Sequence, residues 1–262
     1  MWLFDVPVVV GLPIFVVLFV GTSCLLVIAL RRWVRRASDG HGEWDRVLSY
    51  AVSAYGIFYG VTLGLIAAGA YGNFTEVNNV VLEESSSVAV IYRSAALFPE
   101  PTSSELKAAV TAYAEAVIEH DWPLQRQLVA PEETDREVTD IQRVIGDFEP
   151  GTSSETVVQS QTIAAFNTFV TDRRERISLT HLALPGMLWI VLGVGAVLNA
   201  VLLALIEVRN LRIHLIMAAL IASFVAMLLY AIAGFDHPYS GPIAVTPEYF
   251  RDLVDGLFLR EP

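Results

Sequence analysis

The chain has 262 residues, 54% of them hydrophobic, and its apolar residues are concentrated in four long segments, which predicts a polytopic membrane protein. The net charge is −11 and only one of the 17 basic residues is a lysine, so the basic surface that nucleic-acid binding requires is missing. Cys24 is the only cysteine, which excludes a disulfide within the chain and a zinc site built on a cysteine cluster.

The first apolar segment, Val8 to Leu30, is predicted to be a membrane helix that the protein retains. A cluster of positive charges follows it, formed by Arg31, Arg32, Arg35 and Arg36. A secretory signal carries its positive charges before the apolar run, so this segment does not have the pattern of a cleaved signal. By the positive-inside rule we expect the arginine cluster in the cytoplasm and the N-terminus outside.

The second apolar segment, from Tyr50 to Gly72, carries a row of small residues. The row consists of Gly56, Gly60, Gly64 and Ala68. Residues four apart in a helix share one face, so the row forms a smooth groove. In lipid such a groove lets another backbone approach closely, and we therefore predict a helix-packing face.

A second stripe lies almost opposite to that groove and mixes hydroxyl, small and amide side chains. Its members are Tyr55, Tyr59, Thr62, Ile66, Gly69 and Asn73. One interpretation is that the helix is buried and packs with both of its faces. The sharper interpretation is that the helix packs by its glycines and lines a pore with this stripe.

The helical pattern does not stop at Gly72 but continues as a stalk as far as Phe98. The region 102–181 shows no strand alternation, so we expect a soluble insert built of helices. Its first helix has the capping-box spacing at Thr102 and Glu105.

The last part of the chain predicts a tight hairpin of two membrane spans and a short C-terminal helix. The turn between these spans carries Arg209 and Arg212, which again places positive charge in the cytoplasm and the insert outside it. The predicted divisions are 1–72 for the first helix pair, 73–184 for the insert with its stalk, 185–234 for the second hairpin, and 235–262 for a turn followed by an amphipathic helix.

The sequence patterns of catalytic and metal sites are missing. The five histidines are scattered, and there is no nucleophile elbow or phosphate-binding glycine loop. We therefore expect no enzymatic activity, no cofactor and no metal site. The four spans carry no Asp, Glu, Lys, Arg or His near their centres, which argues against ion-coupled transport but is compatible with a pore.

Two acidic residues, Glu83 and Glu84, lie on the predicted stalk. If several stalks surround an axis, their carboxylates would form a ring that attracts cations. The alternative is a solvated helix face with ordinary ion pairs.

Several short strips of the sequence resemble the bacterial bestrophin-like family of membrane proteins. They are Glu83 with Tyr92-Arg93, Trp122, Arg173-Arg174 ahead of Leu184-Pro185 and Trp189, and His237-Pro238-Tyr239-Ser240-Gly241 after the last span. The order of two spans, a helical insert and a hairpin of two spans is also similar to the bestrophins. Their Asn-Pro-Phe-Gly strip after the fourth span is similar to Pro238-Tyr239-Ser240-Gly241.

The resemblance implies a pentameric ion channel whose pore is lined by the second span, which would place the Tyr55–Asn73 stripe at the pore. The acidic calcium-binding run of animal bestrophins is missing, so calcium gating is not expected. Bestrophins keep their insert in the cytoplasm, whereas the charge pattern here indicates the opposite orientation.

Taken together, these features predict an all-α, homo-oligomeric protein of the cell membrane that conducts small inorganic ions, with a preference for cations. Its expected contacts are with further copies of itself and with the lipid bilayer. The alternative is a non-conducting membrane sensor or scaffold whose helical insert binds a partner or ligand.

Overall fold

The computed structural model describes residues 7–38, 42–131, 134–208, 210–241 and 243–258. These residues form helices and turns and contain no strand, which confirms the prediction of an all-α fold. The helices are α1 (Val8–Ser38), α2 (Gly42–Ala95), α3 (Thr102–Ala116), α4 (Trp122–Arg126), α5 (Asp135–Asp147), α6 (Ser153–Ser178), α7 (Gly186–Leu205), α8 (Leu211–Phe235) and α9 (Glu248–Asp252). A π-helical turn, Val117–Asp121, joins α3 to α4, and a second one, Leu253–Phe258, follows α9.

Four of these helices, α1, α2, α7 and α8, are long and apolar enough to cross a membrane, as the sequence predicts. The second is much longer than a bilayer requires, because α2 has 54 residues and about 20 suffice to cross the hydrocarbon core. The first continues beyond Leu30 through the arginine cluster and ends at Ser38.

The chain divides into two compact units. Unit 1 consists of residues 1–73, 183–237 and 241–243 and contains α1, the first part of α2, α7 and α8. Within it α1 and α8 pack closely: a Cβ atom added at Gly11 would lie 2.6 Å from the Tyr230 hydroxyl. A larger residue at this position would require the Tyr230 side chain to shift.

A buried carboxylate joins the two ends of the α7–α8 hairpin within unit 1. Asp236, which follows the end of α8, is 2% exposed. Its Oδ1 accepts a hydrogen bond from the backbone N–H of Leu184 at 2.5 Å, and its Oδ2 accepts one from Trp189 Nε1 at 2.9 Å. Hydrogen bonds to an ionised acceptor are about twice as strong as neutral ones, so Asp236 fixes the start of α7 against the end of α8.

Two tyrosines of α2 pack on the backbone of α7, also within unit 1. The Tyr59 hydroxyl donates to the carbonyl oxygen of Leu192 at 3.0 Å, and the Tyr55 hydroxyl donates to that of Gly195 at 2.5 Å. The two rings stack at a centroid distance of 5.6 Å. Gly195 leaves room for this contact, because a Cβ atom there would collide with the Tyr59 ring.

Unit 2 consists of residues 74–182, 238–240 and 244–262 and contains the rest of α2, α3 to α6 and α9. One hydrophobic core joins these helices. The C-terminal segment is part of the same core, since Tyr239, Phe250 and Phe258 are buried in it.

The capping box of this unit lies at the start of α6 and not at the start of α3. Thr152 Oγ1 accepts from the Glu155 N–H at 3.2 Å, and the Glu155 carboxylate accepts from the Thr152 N–H at 3.2 Å. The prediction of a capping box at Thr102 is wrong, because Thr102 is already inside α3 and the N-cap position belongs to Pro101.

The tight contact between Tyr59 and α7 predicts that Gly195→Val destabilises the membrane unit. Overpacking of this kind costs about 1–3 kcal/mol, so we expect a melting temperature several degrees lower for the protein purified in detergent. Gly193→Val is the matched control, because a Cβ atom at Gly193 meets no other atom within 4 Å. Equal melting temperatures for the two variants would contradict the proposed role of Gly195.

Candidate functional site

The membrane part of α2 uses one narrow face to contact its own subunit. That face consists of Tyr59, Leu63, Ile66 and Ala70, all buried against other helices of unit 1. The pattern is the ordinary helical one, since these residues are three or four positions apart. Most other residues of this part of α2 are exposed in the single chain.

This arrangement corrects the predicted pore stripe. Tyr59 is 7% exposed and Ile66 is 8% exposed, and both lie in the core of the subunit, so the prediction that they line a pore is wrong. The physical reason is that tyrosine hydroxyls within a membrane need acceptors, and Tyr55 and Tyr59 find them on the α7 backbone. Polar character in a membrane stripe therefore indicated contact between helices and not contact with water.

The remaining members of the stripe differ in their environments. The Thr62 hydroxyl donates to the carbonyl oxygen of Phe58 within the same helix at 2.8 Å. Gly69 is exposed and Asn73 is half-buried. These three residues remain candidates for contact with water, and none of them lies in the buried line of α2.

The glycine row is exposed in the single chain. A Cβ atom added at Gly56, Gly60 or Gly64 would meet nothing within 4 Å, and Ala68 is exposed as well. The row therefore packs against no helix of its own subunit. Its predicted role as a packing face stays open only for contact with another copy or another membrane protein.

Large apolar side chains lie beside this row on the exposed surface of α2. They are Ile57 (67% exposed), Phe58 (73%), Val61 (58%) and Leu65 (70%). Two positions along an α-helix correspond to a rotation of about 200°, so Val61 lies nearly opposite to Tyr59. The surface that is free to meet water, lipid or another subunit is thus centred near Val61.

The two stalk glutamates also have different environments. Glu83 is exposed, as an ion-attracting residue would be. Glu84 is fully buried in unit 2, so its prediction as an ion-attracting residue is wrong. A carboxylate that has no contact with solvent cannot attract ions from solution.

Glu84 belongs to a buried charge network centred on Arg176. Arg176 Nε lies 2.5 Å from Glu84 Oε2, its Nη2 lies 2.7 Å from Asp121 Oδ2, and its Nη1 donates to Gln125 Oε1 at 2.5 Å. The Tyr113 hydroxyl donates to the other oxygen of Glu84. All five side chains are fully buried.

The protonation states of this network follow from its charges. Burial alone would lower the pKa of Arg176, but the neighbouring Glu84, Tyr113 and Asp121 offset that effect and raise it well above its ordinary value. Burial, reinforced by the Glu84 charge, raises the pKa of Tyr113 far above its usual range. The network therefore holds a charged arginine and a neutral tyrosine, which suits a structural link between α2, α4, α6 and the π-helical turn.

The sequence contains a signal for this network. The buried stripe of the stalk is Val77, Val81, Glu84, Val88 and Ile91, and that of α6 is Phe166, Phe169, Arg173 and Arg176. One charged residue in the stalk series and two in the α6 series occupy positions where helical spacing requires an apolar one. Reading those positions together, as a pair of opposite charges, would have predicted the contact.

No group of three or more His, Cys, Asp or Glu residues in the described ranges could hold a metal ion. The side chains of the Arg176 network are all buried from solvent. The chemistry that the described residues offer is therefore that of the exposed α2 surface, with Glu83 beyond it on the stalk.

The network predicts a large difference between two neighbouring substitutions. Glu84→Gln leaves Arg176 short of a buried partner, so we expect a loss of about 3–5 kcal/mol in the free energy of unfolding. Glu83→Gln, on the exposed side, should change it by less than about 0.5 kcal/mol. Thermal unfolding of the two purified variants tests this, and similar stability of both would argue against the network.

Comparisons with known proteins agree with this architecture. Residues 17–250 match the family model of the Bestrophin-like domain. No curated protein matches the sequence. The chain is similar to solved structures of a bacterial bestrophin homologue from Klebsiella pneumoniae. In a variant with one substitution the TM-score is 0.67 at 15% identity, over 95% of this chain and 99% of that chain.

A second crystal structure of that homologue gives a TM-score of 0.66 at 15% identity, over 94% of this chain and 99% of that chain. A third structure, a variant described only as a membrane protein, matches with a TM-score of 0.68 at 13% identity, over 95% of this chain and 98% of that chain. These structures establish a shared fold. Because the family model covers most of the sequence, the chain belongs to the bestrophin-like family.

Proposed function

We propose that the protein is a homo-oligomeric ion channel in which α2 of each subunit lines the pore. The observation that carries this proposal is the glycine row of α2, because Gly56, Gly60 and Gly64 are open on a helix surface that its own subunit leaves largely uncovered. In the most apolar 18 residues of α2 only 17% are buried; α1 is covered still less, at 11%, but it carries no such row. A membrane helix with so much uncovered surface has room both for another subunit and for a water-filled path.

Further copies of the chain are the partners that fit this surface. The exposed glycine row permits close approach of another helix, which is how membrane helices associate without a hydrophobic drive. In a ring of identical subunits, each α2 contacts its neighbours on its flanks and directs the face between the flanks toward the axis. Membership of the bestrophin-like family, with its resemblance to pentameric channels, supports five subunits.

The face centred near Val61 is the best candidate for the pore lining. Val61 is flanked by the exposed Ile57 and Leu65, so repeated copies would form an apolar collar in the membrane. Apolar constrictions control ion flow by excluding water. The second span thus remains the proposed pore helix. The pore lining moves from the buried Tyr59 and Ile66 to the opposite face of the helix, near Val61.

Charge supports a preference for cations. The chain carries a net charge of −11, and Glu83 is exposed on the same helix that supplies the collar. A ring of Glu83 carboxylates would raise the local concentration of cations, an effect that salt screens.

We also propose that the insert lies outside the cytoplasm. Four arginines within six residues follow the first span, and Arg212 lies in the first turn of α8. Both are on the same side of the membrane unit, because Arg31 and Arg35 line a pocket with His214. Positive charge in short loops sets the orientation of membrane helices.

The collar predicts that Val61→Ser raises ion conductance of the purified protein in planar bilayers, because a polar side chain eases wetting of an apolar constriction. Ile66→Ser is the matched variant. It should not raise conductance and should lower stability by about 2–5 kcal/mol, the range for truncating a buried isoleucine.

The same recordings separate the rival functions. A reversal potential that follows the cation gradient supports the proposed selectivity, whereas one that follows chloride would keep the channel and reject the cation preference. Assembled protein that passes no current, either as wild type or as Val61→Ser, would favour the scaffold whose insert binds a partner.

Orientation can be tested with cysteines at Ser104 and Ser38 after Cys24 has been replaced by alanine. A membrane-impermeant thiol reagent added to intact cells should label the cysteine at 104, which is an exposed position of the insert, and not the one at 38. The reverse pattern would show that the insert lies in the cytoplasm.

A further inference from the structure

We propose that unit 1 contains a binding site for an anionic phospholipid, with its acyl chains in an apolar cleft between α1 and α7 and its headgroup on Arg32 and Arg36. This inference does not depend on ion conduction. It rests on the cleft, on the charged residues that continue the same helix face, and on the depth at which those residues lie.

The cleft has a volume of about 810 Å³ and an almost wholly apolar lining. On α1 it extends from Phe15 to Ala29, and on α7 from Gly193 to Ala200. Fourteen residues of helix measure about 21 Å, which exceeds the roughly 15 Å of hydrocarbon in one leaflet. The cleft is therefore long enough to hold the acyl chains of one leaflet.

Basic residues continue the cleft face of α1 beyond its apolar end. Trp33 follows Ala29 by four positions and Arg36 follows Trp33 by three, so all three share one helix face, with Arg32 beside them. Trp33 is 55% exposed, and tryptophan is typical of the membrane interface, so these arginines lie at the level of lipid headgroups.

Arg32 and Arg36 are available for such a headgroup. Both are exposed, and among the described residues no carboxylate lies within ion-pair distance of either. Arg31 and Arg35 occupy the other side of α1, where they line a separate small pocket with Glu207. The cluster is thus divided between a pocket inside the protein, at Arg31 and Arg35, and the surface of α1 that continues the cleft face, at Arg32 and Arg36.

Charge and depth favour a phospholipid over a second copy of the chain. A neighbouring copy in the same orientation would place its own arginine cluster at this depth, bringing like charges together. An anionic phospholipid instead supplies a phosphate at the level of Arg32 and Arg36 and apolar chains at the level of the cleft. In the orientation proposed above, these residues face the cytoplasmic leaflet, where anionic lipids attract basic segments next to membrane helices.

The test uses the full-length protein, delipidated in detergent and titrated with phosphatidylglycerol or phosphatidylcholine, with bound lipid counted by native mass spectrometry. We expect the wild type to bind phosphatidylglycerol roughly thirtyfold more tightly than phosphatidylcholine, the factor that corresponds to two arginines near anionic lipid. Arg32→Gln combined with Arg36→Gln should remove that preference. Arg212→Gln, an exposed arginine at the start of α8, should retain it.

A second pair of variants tests the cleft. Gly193→Leu should fill it and weaken the binding of both lipids, without a steric clash, because a Cβ atom at this position meets nothing within 4 Å. Gly21→Leu, equally open but outside the cleft lining, should bind both lipids like the wild type.

Equal affinity of the wild type for the two lipids would overturn the proposal, as would a preference that survives the double arginine substitution. It would also be overturned if Gly193→Leu left lipid binding unchanged and altered the number of subunits per particle. That result would assign the cleft to a second copy of the chain.

Discussion

The contact between the tyrosine hydroxyls of α2 and the backbone of α7 determines which face of α2 the subunit covers. Within lipid a phenol hydroxyl without an acceptor is costly, and the carbonyl oxygens of Leu192 and Gly195 satisfy Tyr59 and Tyr55. Gly195 makes the approach possible because it has no side chain. Once these bonds are formed, the glycine row and the apolar residues beside it have no partner in the subunit, and the proposed pore and subunit contacts follow from that.

Arg176 has a comparable role in unit 2, through charge instead of hydroxyl groups. It meets Glu84 from α2 and Asp121 from the π-helical turn, and the backbone oxygen of Arg176 accepts a hydrogen bond from Tyr239 at 3.1 Å. A buried cluster of this kind adds little net stability over apolar packing, but removing one of its members leaves a buried charge without its partner. The cluster lies on the same face of the stalk as Val77, Val81 and Val88, so charge and apolar packing favour the same orientation, with Glu84 inside and Glu83 outside.

Much of the fold could be predicted from the sequence, because membrane spans and amphipathic helices leave strong periodic signals. The four spans, the long stalk and the helical insert are present as expected, and the family was recognisable from short strips such as His237-Pro238-Tyr239-Ser240-Gly241.

The roles of individual residues were less predictable from the sequence. Tyr59 and Ile66 looked like a water-facing stripe, because a pattern within one helix does not tell what lies opposite to it. The partners that bury them, around Leu192 and Gly195, are more than a hundred residues away in the chain. The prediction that Glu84 attracts ions failed for the same reason, since its partner Arg176 is 92 residues away in the chain.

That separation has a consequence for the synthesis of the protein. Glu84 leaves the ribosome 92 residues before Arg176, which corresponds to roughly 5–20 s at ordinary rates of translation. Tyr239, which also contacts Arg176, follows 63 residues later and lies beyond both spans of the second hairpin. During this interval Glu84 lacks its buried ionic partner, although α3, which packs in the same core as the stalk, has already been synthesised. The core of unit 2 can therefore be completed only after the second hairpin has been synthesised, because Tyr239, which follows that hairpin, is buried in it.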